Sequence, residues 1–499
     1  MWLWVLQRIW LTQYNGKYFM SQVSRGFFWS AVERFSIQGI GLLLSIIIAR
    51  IVSPSAYGLI VMIQVFLSFS QLFIDGGFAN ALIQKKDRDE TDYCTVFIFN
   101  MGVALILYLL FFFGAPLIAS FYDEPQLKPI TRIISLNLIF SSLSIVQKTR
   151  LTINLDFRTQ TKAGLIAVLV SGTMGVICAY RGLEVWALVI QGLINQLIIS
   201  LALMYFSKWK PKLLFSRSSF KKLFGFGSKL MLSNILTSIY VNISNLVIGK
   251  RYSSADLAFY NRGFTLSQFP SVNLSDVLNR VIYPLLTQVQ DDREALKSDY
   301  LKYLHLTHYI VIPLMGLLLV LAEPLIVFLL SPKWVDVVPY LRIFCLNFML
   351  YPLMQQAGNP VAAIGHSGIL LKYQLLKRFV CLAILIYTLT ISITAVCWGI
   401  VAGSAFEVIV NVLICRKEIG VGIRQHFLTL FDVLLAALLI CSAVYFTISV
   451  IPGNFWKLLI GGLMGVMLYL GATVLFNFRE KEYVLNVFHG IKTRLVKNQ

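Results

Sequence analysis

The chain has 499 residues, of which 58% are hydrophobic and only 13% charged; that is about half the charged share usual in a soluble protein. Its formal net charge is +20, yet the basic residues sit in short gaps between long apolar runs, where they set orientation and meet anionic lipid headgroups. This pattern, with a mean hydropathy of +0.75, argues against a nucleic-acid-binding protein and against a water-soluble enzyme.

Residues 1–25 carry Trp2, Trp4, Trp10, Tyr14, Tyr18 and Phe19, aromatics that suit a cytoplasmic or interfacial segment. No basic lead followed by a cleavable apolar core is visible there. Met20, followed by Ser21 to Arg25, is an alternative start. Apolar runs then follow at 26–50, 58–83, 94–119, 128–149, 163–181, 184–206, 225–249, 257–285, 303–330, 337–363, 369–395, 398–415, 427–449 and 456–477. Each is close to the length that crosses a bilayer as a helix, about 20 residues, and together they make about fourteen spans. The expected fold is therefore all-α and polytopic. With the N-terminus in the cytoplasm, the inner segments hold 30 Lys and Arg against 6 in the outer loops, which places both termini inside.

An internal repeat supports two halves. Ala49-Arg50-x-x-Ser53 with Tyr57-Gly58 joins the first two spans, and Gly249-Lys250-x-x-Ser253 with Leu257-Ala258 joins the seventh and eighth. Two pseudo-symmetric six-helix lobes follow: an N-lobe over 26–206 and a C-lobe over 225–415, joined by a basic cytoplasmic linker at 207–224. Spans 13 and 14 (427–477) and a basic tail (478–499) complete the chain. Repeated halves with a central site are a common transporter plan.

Polar side chains inside spans are costly and therefore informative. Gln64, Ser68, Gln71 and Asp75 share one face of span 2, and Asn234, Ser238, Asn242 and Asn245 nearly share one face of span 7. Hydrogen bonding between helices explains any one of them. Two stripes in equivalent spans favour a shared polar cavity, with Gln64, Gln71, Asn234 and Asn242 as candidate substrate contacts. Arg34 and Arg132 lie inside spans without an acid one turn away, and their fixed charge and fork of donors suit a phosphate or pyrophosphate. Asp75, before Gly76-Gly77, and Glu407, one turn before Asn411, are candidate coupling carboxylates; an ion pair between Asp75 and Arg34 is the structural alternative. Pro270, Pro284, Pro313, Pro324, Pro352 and Pro360 interrupt spans 8 to 10 and predict hinges or fixed kinks.

Enzyme and cofactor signals are poor. No phosphate-binding G-x-x-x-x-G-K-[ST] occurs, and Asp87-Arg88-Asp89 reads as a solvated charge run. The seven cysteines form no C-x-x-C pair, and His305 and His308 have no acid at ligand spacing, so neither a metal nor a cofactor is expected.

Several stretches carry a family resemblance: Ala49 to Gly58, Asp75 to Gln84, Asn245 to Tyr252, Phe259-Tyr260-Asn261-Arg262, Arg280 to Pro284, Glu323 to Ile326 and Pro332-Lys333-Trp334. Their order and spacing resemble the polysaccharide-transport, Wzx-type branch of the multidrug/oligosaccharidyl-lipid/polysaccharide (MOP) flippase superfamily. The resemblance implies two six-helix lobes around a V-shaped, basic central cavity that works by alternating access. It implies a bacterial inner-membrane flippase for undecaprenyl-diphosphate-linked oligosaccharide units of capsule, exopolysaccharide or O-antigen. Expected partners are that glycolipid, membrane lipids, a coupling H+ or Na+, and polysaccharide polymerase and export proteins. A drug or cation antiporter and a lipid II flippase remain alternatives within the superfamily. A membrane polymerase or ligase is disfavoured because the outer loops are short.

Overall fold

The computed structural model describes residues 37–475, and Arg34 lies outside them. All regular structure in this range is helical: α1 (Ile37–Ile51), α2 (Pro54–Asp75), α3 (Phe78–Gln84), α4 (Glu90–Tyr122), α5 (Leu127–Ile134), α6 (Leu136–Ile153), α7 (Phe157–Tyr180), α8 (Val185–Ser207) and α9 (Arg217–Arg251). They are followed by α10 (Ser254–Gln288), α11 (Arg293–Val320), α12 (Ala322–Leu330), α13 (Val337–Gln356), α14 (Asn359–Ala363), α15 (Ser367–Leu389), α16 (Ile393–Ile419), α17 (Ile423–Val450) and α18 (Asn454–Leu475). The chain divides into two compact units, one ending at Ile239 and one beginning at Tyr240, so the division falls inside α9.

Among the described residues 11 helical segments are long and apolar enough to cross a membrane. The chain is an all-helical, multi-pass membrane protein. Three more expected spans coincide with helices that miss that standard. α1 starts where the described residues start, α10 is rich in polar side chains, and α15 carries Lys372, Lys377 and Arg378.

The two serines of the expected repeat both stand at helix N-caps. Ser53 caps α2 with φ −70° and ψ 151°, and Ser253 caps α10 with φ −69° and ψ 158°. Both serines meet a carboxylate, but from different places. Ser53 Oγ donates to Glu184 Oε2 at 2.9 Å, across to the α7–α8 loop. Ser253 Oγ donates to its own third-residue partner, Asp256 Oδ2, at 2.6 Å, in a capping box that satisfies orphan amides of the first turn.

Four expected spans are broken in mid-course. Span 2 stops at Gly76 and restarts at Phe78, because Gly76 (φ 53°) and Gly77 (φ 75°) both adopt the left-handed conformation, which glycine reaches without steric cost. The break also permits a close backbone approach: a Cβ on Gly77 would overlap the Gly227 backbone of α9, and one on Gly227 would stand 2.6 Å from the Gly76 carbonyl oxygen. Beside this crossing, Phe78, Leu82, Cys94, Val146 and Leu223 form a buried cluster in the first unit.

Interior prolines show how the kinks are held. Proline lacks an N–H, so the carbonyl four residues earlier loses its helical donor. In α4, Pro116 frees the Phe112 carbonyl, and Arg132 Nε of α5 donates to it at 3.0 Å. In α11, Pro313 frees Tyr309, whose carbonyl accepts from Tyr469 O–H of α18 at 2.9 Å. In α13, Pro352 frees Phe348, whose carbonyl accepts from Ser271 Oγ of α10 at 2.7 Å. These three kinks are tied to a neighbouring helix, as membrane helices require for freed backbone groups. Pro324 and Pro360 instead stand in the first turns of α12 and α14, after breaks at Leu321 and Gly358. Tyr309 O–H also meets Thr473 Oγ1 at 2.6 Å, which ties α18 into the second unit.

Candidate functional site

On α2, Gln64 is exposed, and Ser68, Gln71 and Asp75 are half-buried. Gln71 Oε1 accepts from Ser141 Oγ of α6 at 2.9 Å, so part of this stripe bonds between helices. Asp75 Oδ1 is buried without a hydrogen-bond partner among the described residues, directly before the Gly76-Gly77 break. On α9, Asn234 belongs to the first unit and is exposed, whereas Asn242 belongs to the second and is half-buried. Arg132 does not stand deep in its span. It sits in α5, and besides its bond to Phe112 its guanidinium lies 4.7 Å from the Phe112 ring centroid. One of its several N–H donors and one flat face are engaged by α4.

The second unit holds a charged cluster that sequence reasoning missed. Counting places Lys377 and Arg378 with the cytoplasmic cations; the structure puts them inside α15, against α16 and the second-unit part of α9. Lys377 Nζ donates to Asn411 Oδ1 at 2.8 Å. Arg378 Nη1 stands 3.7 Å from Glu407 Oε1, and its guanidinium lies 4.7 Å from the Tyr240 ring centroid. Asn411 Nδ2 in turn donates to the Met354 carbonyl at 2.9 Å, one of the four carbonyls that a helix C-terminus leaves without an internal donor. Glu407 is 9% exposed. Among the described residues this cluster sets two basic side chains, Lys377 and Arg378, beside one acidic one, Glu407. Ionisable side chains within a span mark a functional site by default. The signal available in sequence was the pair Glu407 and Asn411, one turn apart; their partners come from other helices and have no fixed spacing.

One buried histidine meets an acid from a distant helix. His305 lacks a nearby acid in sequence, but Nε2 meets Asp432 Oδ2 of α17 at 3.1 Å. His308 and His426 are also buried; His308 Nδ1 is within 2.8 Å of the Leu304 carbonyl and His426 Nε2 within 2.9 Å of Tyr300 O–H. No group of three or more metal-ligating side chains occurs among the described residues.

Some motif residues are structural. Trp334 is fully buried; the Phe259 ring lies 6.0 Å from it and the Arg262 guanidinium 5.5 Å. These residues pack the 331–336 loop onto α10. A cavity of about 450 Å³ lies between α11, α13 and α17, lined by Ile312, Leu346, Met349, Leu438 and Phe446 among others. It has no charged side chain to hold a phosphate.

The family described as "Polysaccharide biosynthesis protein" matches residues 47–339, more than half of the chain. This chain belongs to that family. The lipopolysaccharide biosynthesis protein WzxC of Escherichia coli K12 is 25% identical over 414 residues, covering 81% of this chain and 83% of WzxC. The teichuronic acid biosynthesis protein TuaB of Bacillus subtilis 168 is 24% identical, covering 75% of this chain and 77% of TuaB. Among solved structures, the lipid II flippase MurJ in an inward closed conformation superposes with a TM-score of 0.74 at 17% identity, over 90% of this chain and 98% of that one. This likeness concerns the fold.

Proposed function

We propose that this protein is a Wzx-like transporter of the MOP superfamily that moves undecaprenyl-diphosphate-linked oligosaccharide units from the cytoplasmic to the outer leaflet of a bacterial inner membrane, by alternating access, for surface polysaccharide assembly. Its finer architecture on this reading is about fourteen spans in two six-helix halves plus two, with both termini cytoplasmic. The observation that carries the reading is the Lys377–Arg378–Glu407–Asn411 cluster. A diphosphate needs cationic donors in a site of low dielectric, and Lys377 and Arg378 supply a point charge and a planar fork. Neutral polar groups of the kind that hydroxylated sugars bond are offered by Asn242 in the second unit and, separately, by Gln64, Gln71 and Asn234 in the first. Arg34 is a further candidate cation, whereas Arg132 holds α4 and is left out of the substrate set.

Coupling follows from competition. Glu407 and the diphosphate both draw on Arg378, so substrate competes with the carboxylate for the guanidinium, and Glu407 is the candidate coupling group of the second unit. Asp75, whose Oδ1 has no hydrogen-bond partner among the described residues, stands at the α2–α3 break as a second candidate coupling carboxylate, in the first unit. A cationic drug would meet two basic side chains beside one acidic one at the second-unit cluster, which disfavours the antiporter reading.

Binding tests the reading. Purified protein in nanodiscs is titrated with undecaprenyl diphosphate and, separately, with a lipophilic cation. Lys377→Gln and Arg378→Gln are each expected to weaken diphosphate binding by about tenfold or more, the value of one charge-assisted hydrogen bond. Unchanged affinity in both variants, or preferential binding of the cation, would refute it.

A further inference from the structure

The connection from α8 to α9 is fastened to the first turns of α4 at three points. Trp209 is 6% exposed, and its Nε1 donates to Glu90 Oε1 at 2.5 Å. The Lys212 amide donates to Cys94 Sγ at 3.4 Å, and the Ser216 amide donates to Thr95 Oγ1 at 3.0 Å. Between the last two attachments, Leu213, Leu214 and Phe215 project outward, exposed to 97%, 44% and 55%. Around them stand Lys208, Lys210, Lys212, Arg217, Lys221 and Lys222, all exposed, with no acid anywhere from 208 to 222.

Lipid-facing apolar residues need no comment within a span, but these three lie outside one. The segment leaves α8 at Ser207, the end of a span, so it lies at the level of the headgroups. An apolar tip ringed by cations is the composition of an interfacial anchor. The tip enters the boundary between headgroups and acyl chains, and the cations meet anionic lipid. The three attachments to α4 hold the tip outward, so little ordering is needed on docking.

We propose that residues 208–222 form a membrane-surface anchor: Leu213, Leu214 and Phe215 insert into the inner leaflet, and the surrounding cations bind anionic phospholipid headgroups. The choice of leaflet rests on the orientation given by the Lys and Arg asymmetry. It does not rest on what is transported.

The test uses the full chain in nanodiscs of phosphatidylcholine, with or without phosphatidylglycerol. Leu213→Cys provides a reporter against a background of native cysteines that are buried, or half-buried in the case of Cys441. Its reaction rate with a membrane-impermeant maleimide is expected to fall at least about fivefold when phosphatidylglycerol is present, the effect of a single cation near an anionic surface. The variant with Lys210, Lys212, Lys221 and Lys222 all changed to Gln should lose that difference while unfolding at the same temperature in phosphatidylcholine. Equal rates in the two lipids would overturn the proposal, and so would protection that survives in the Gln variant. Rapid labelling of Leu213→Cys from outside intact cells would overturn the assignment to the inner leaflet. None of these readings depends on transport, so a different substrate would leave them unchanged.

Discussion

A carbonyl freed by proline is a weak point in a membrane helix, and the side chain that covers it acquires a role unrelated to substrate. Tyr469 covers Tyr309 because Pro313 removed the helical donor. Tyr469→Phe should therefore cost about 1–3 kcal/mol, the penalty of an unsatisfied buried acceptor, read as thermal stability in detergent. In a Pro313→Ala background the carbonyl regains an N–H of its own helix, and the same change should cost distinctly less. Equal costs in the two backgrounds would show that the tyrosine acts through packing alone. Arg132 belongs to the same class. Arg132→Ala should lower stability by a similar amount and leave diphosphate affinity of the folded protein unchanged, in contrast to Lys377→Gln and Arg378→Gln. A loss of affinity without a loss of stability would return Arg132 to the substrate site.

At the scale of elements, the α2–α3 break and its crossing with α9 depend on three glycines. Gly77→Ala would force a side chain into left-handed backbone and into the Gly227 backbone, where neither partner has a flexible end to move. A loss of several kcal/mol is expected, at the upper end of single substitutions, seen as poor expression or early unfolding. Gly102→Ala, where a Cβ meets nothing within 4 Å, should be tolerated as a control. The existence and order of most spans were legible because a run of about 20 apolar residues matches the thickness of a bilayer core. The break at Ser135 was not, since serine does not by itself signal a helix end, whereas Pro324 marked the interruption that falls at Leu321. Adjacent glycines such as Gly76-Gly77 permit a bend, but the sequence does not name the partner that requires it. Lys377 and Arg378 fall inside the apolar run 369–395 but count with the cytoplasmic cations, because Lys372 precedes them near its start. Only Tyr240, Glu407 and Asn411, brought in from α9 and α16, reveal the cluster. The same holds for His305 and Asp432, which are 127 positions apart.

At the scale of the whole molecule, the positive-inside count makes a topological prediction: a fluorescent protein fused after Gln499 should mature in the cytoplasm, and a periplasm-dependent alkaline phosphatase fused there should stay inactive. The reverse pattern would invert every loop assignment, including that of the 208–222 anchor. Ser53 and Ser253 both give their backbone amide to a carboxylate, Glu184 and Asp256 respectively, but only Ser253 closes a capping box. The transport reading goes further, because it requires a lipid-linked sugar to stop at one leaflet when the protein is missing. The most direct measurement is therefore the location of undecaprenyl-linked repeat units in a deletion strain. Loss of surface polysaccharide with repeat units accumulating on the cytoplasmic leaflet is the predicted result. Repeat units that still reach the outer leaflet at the wild-type level would contradict it.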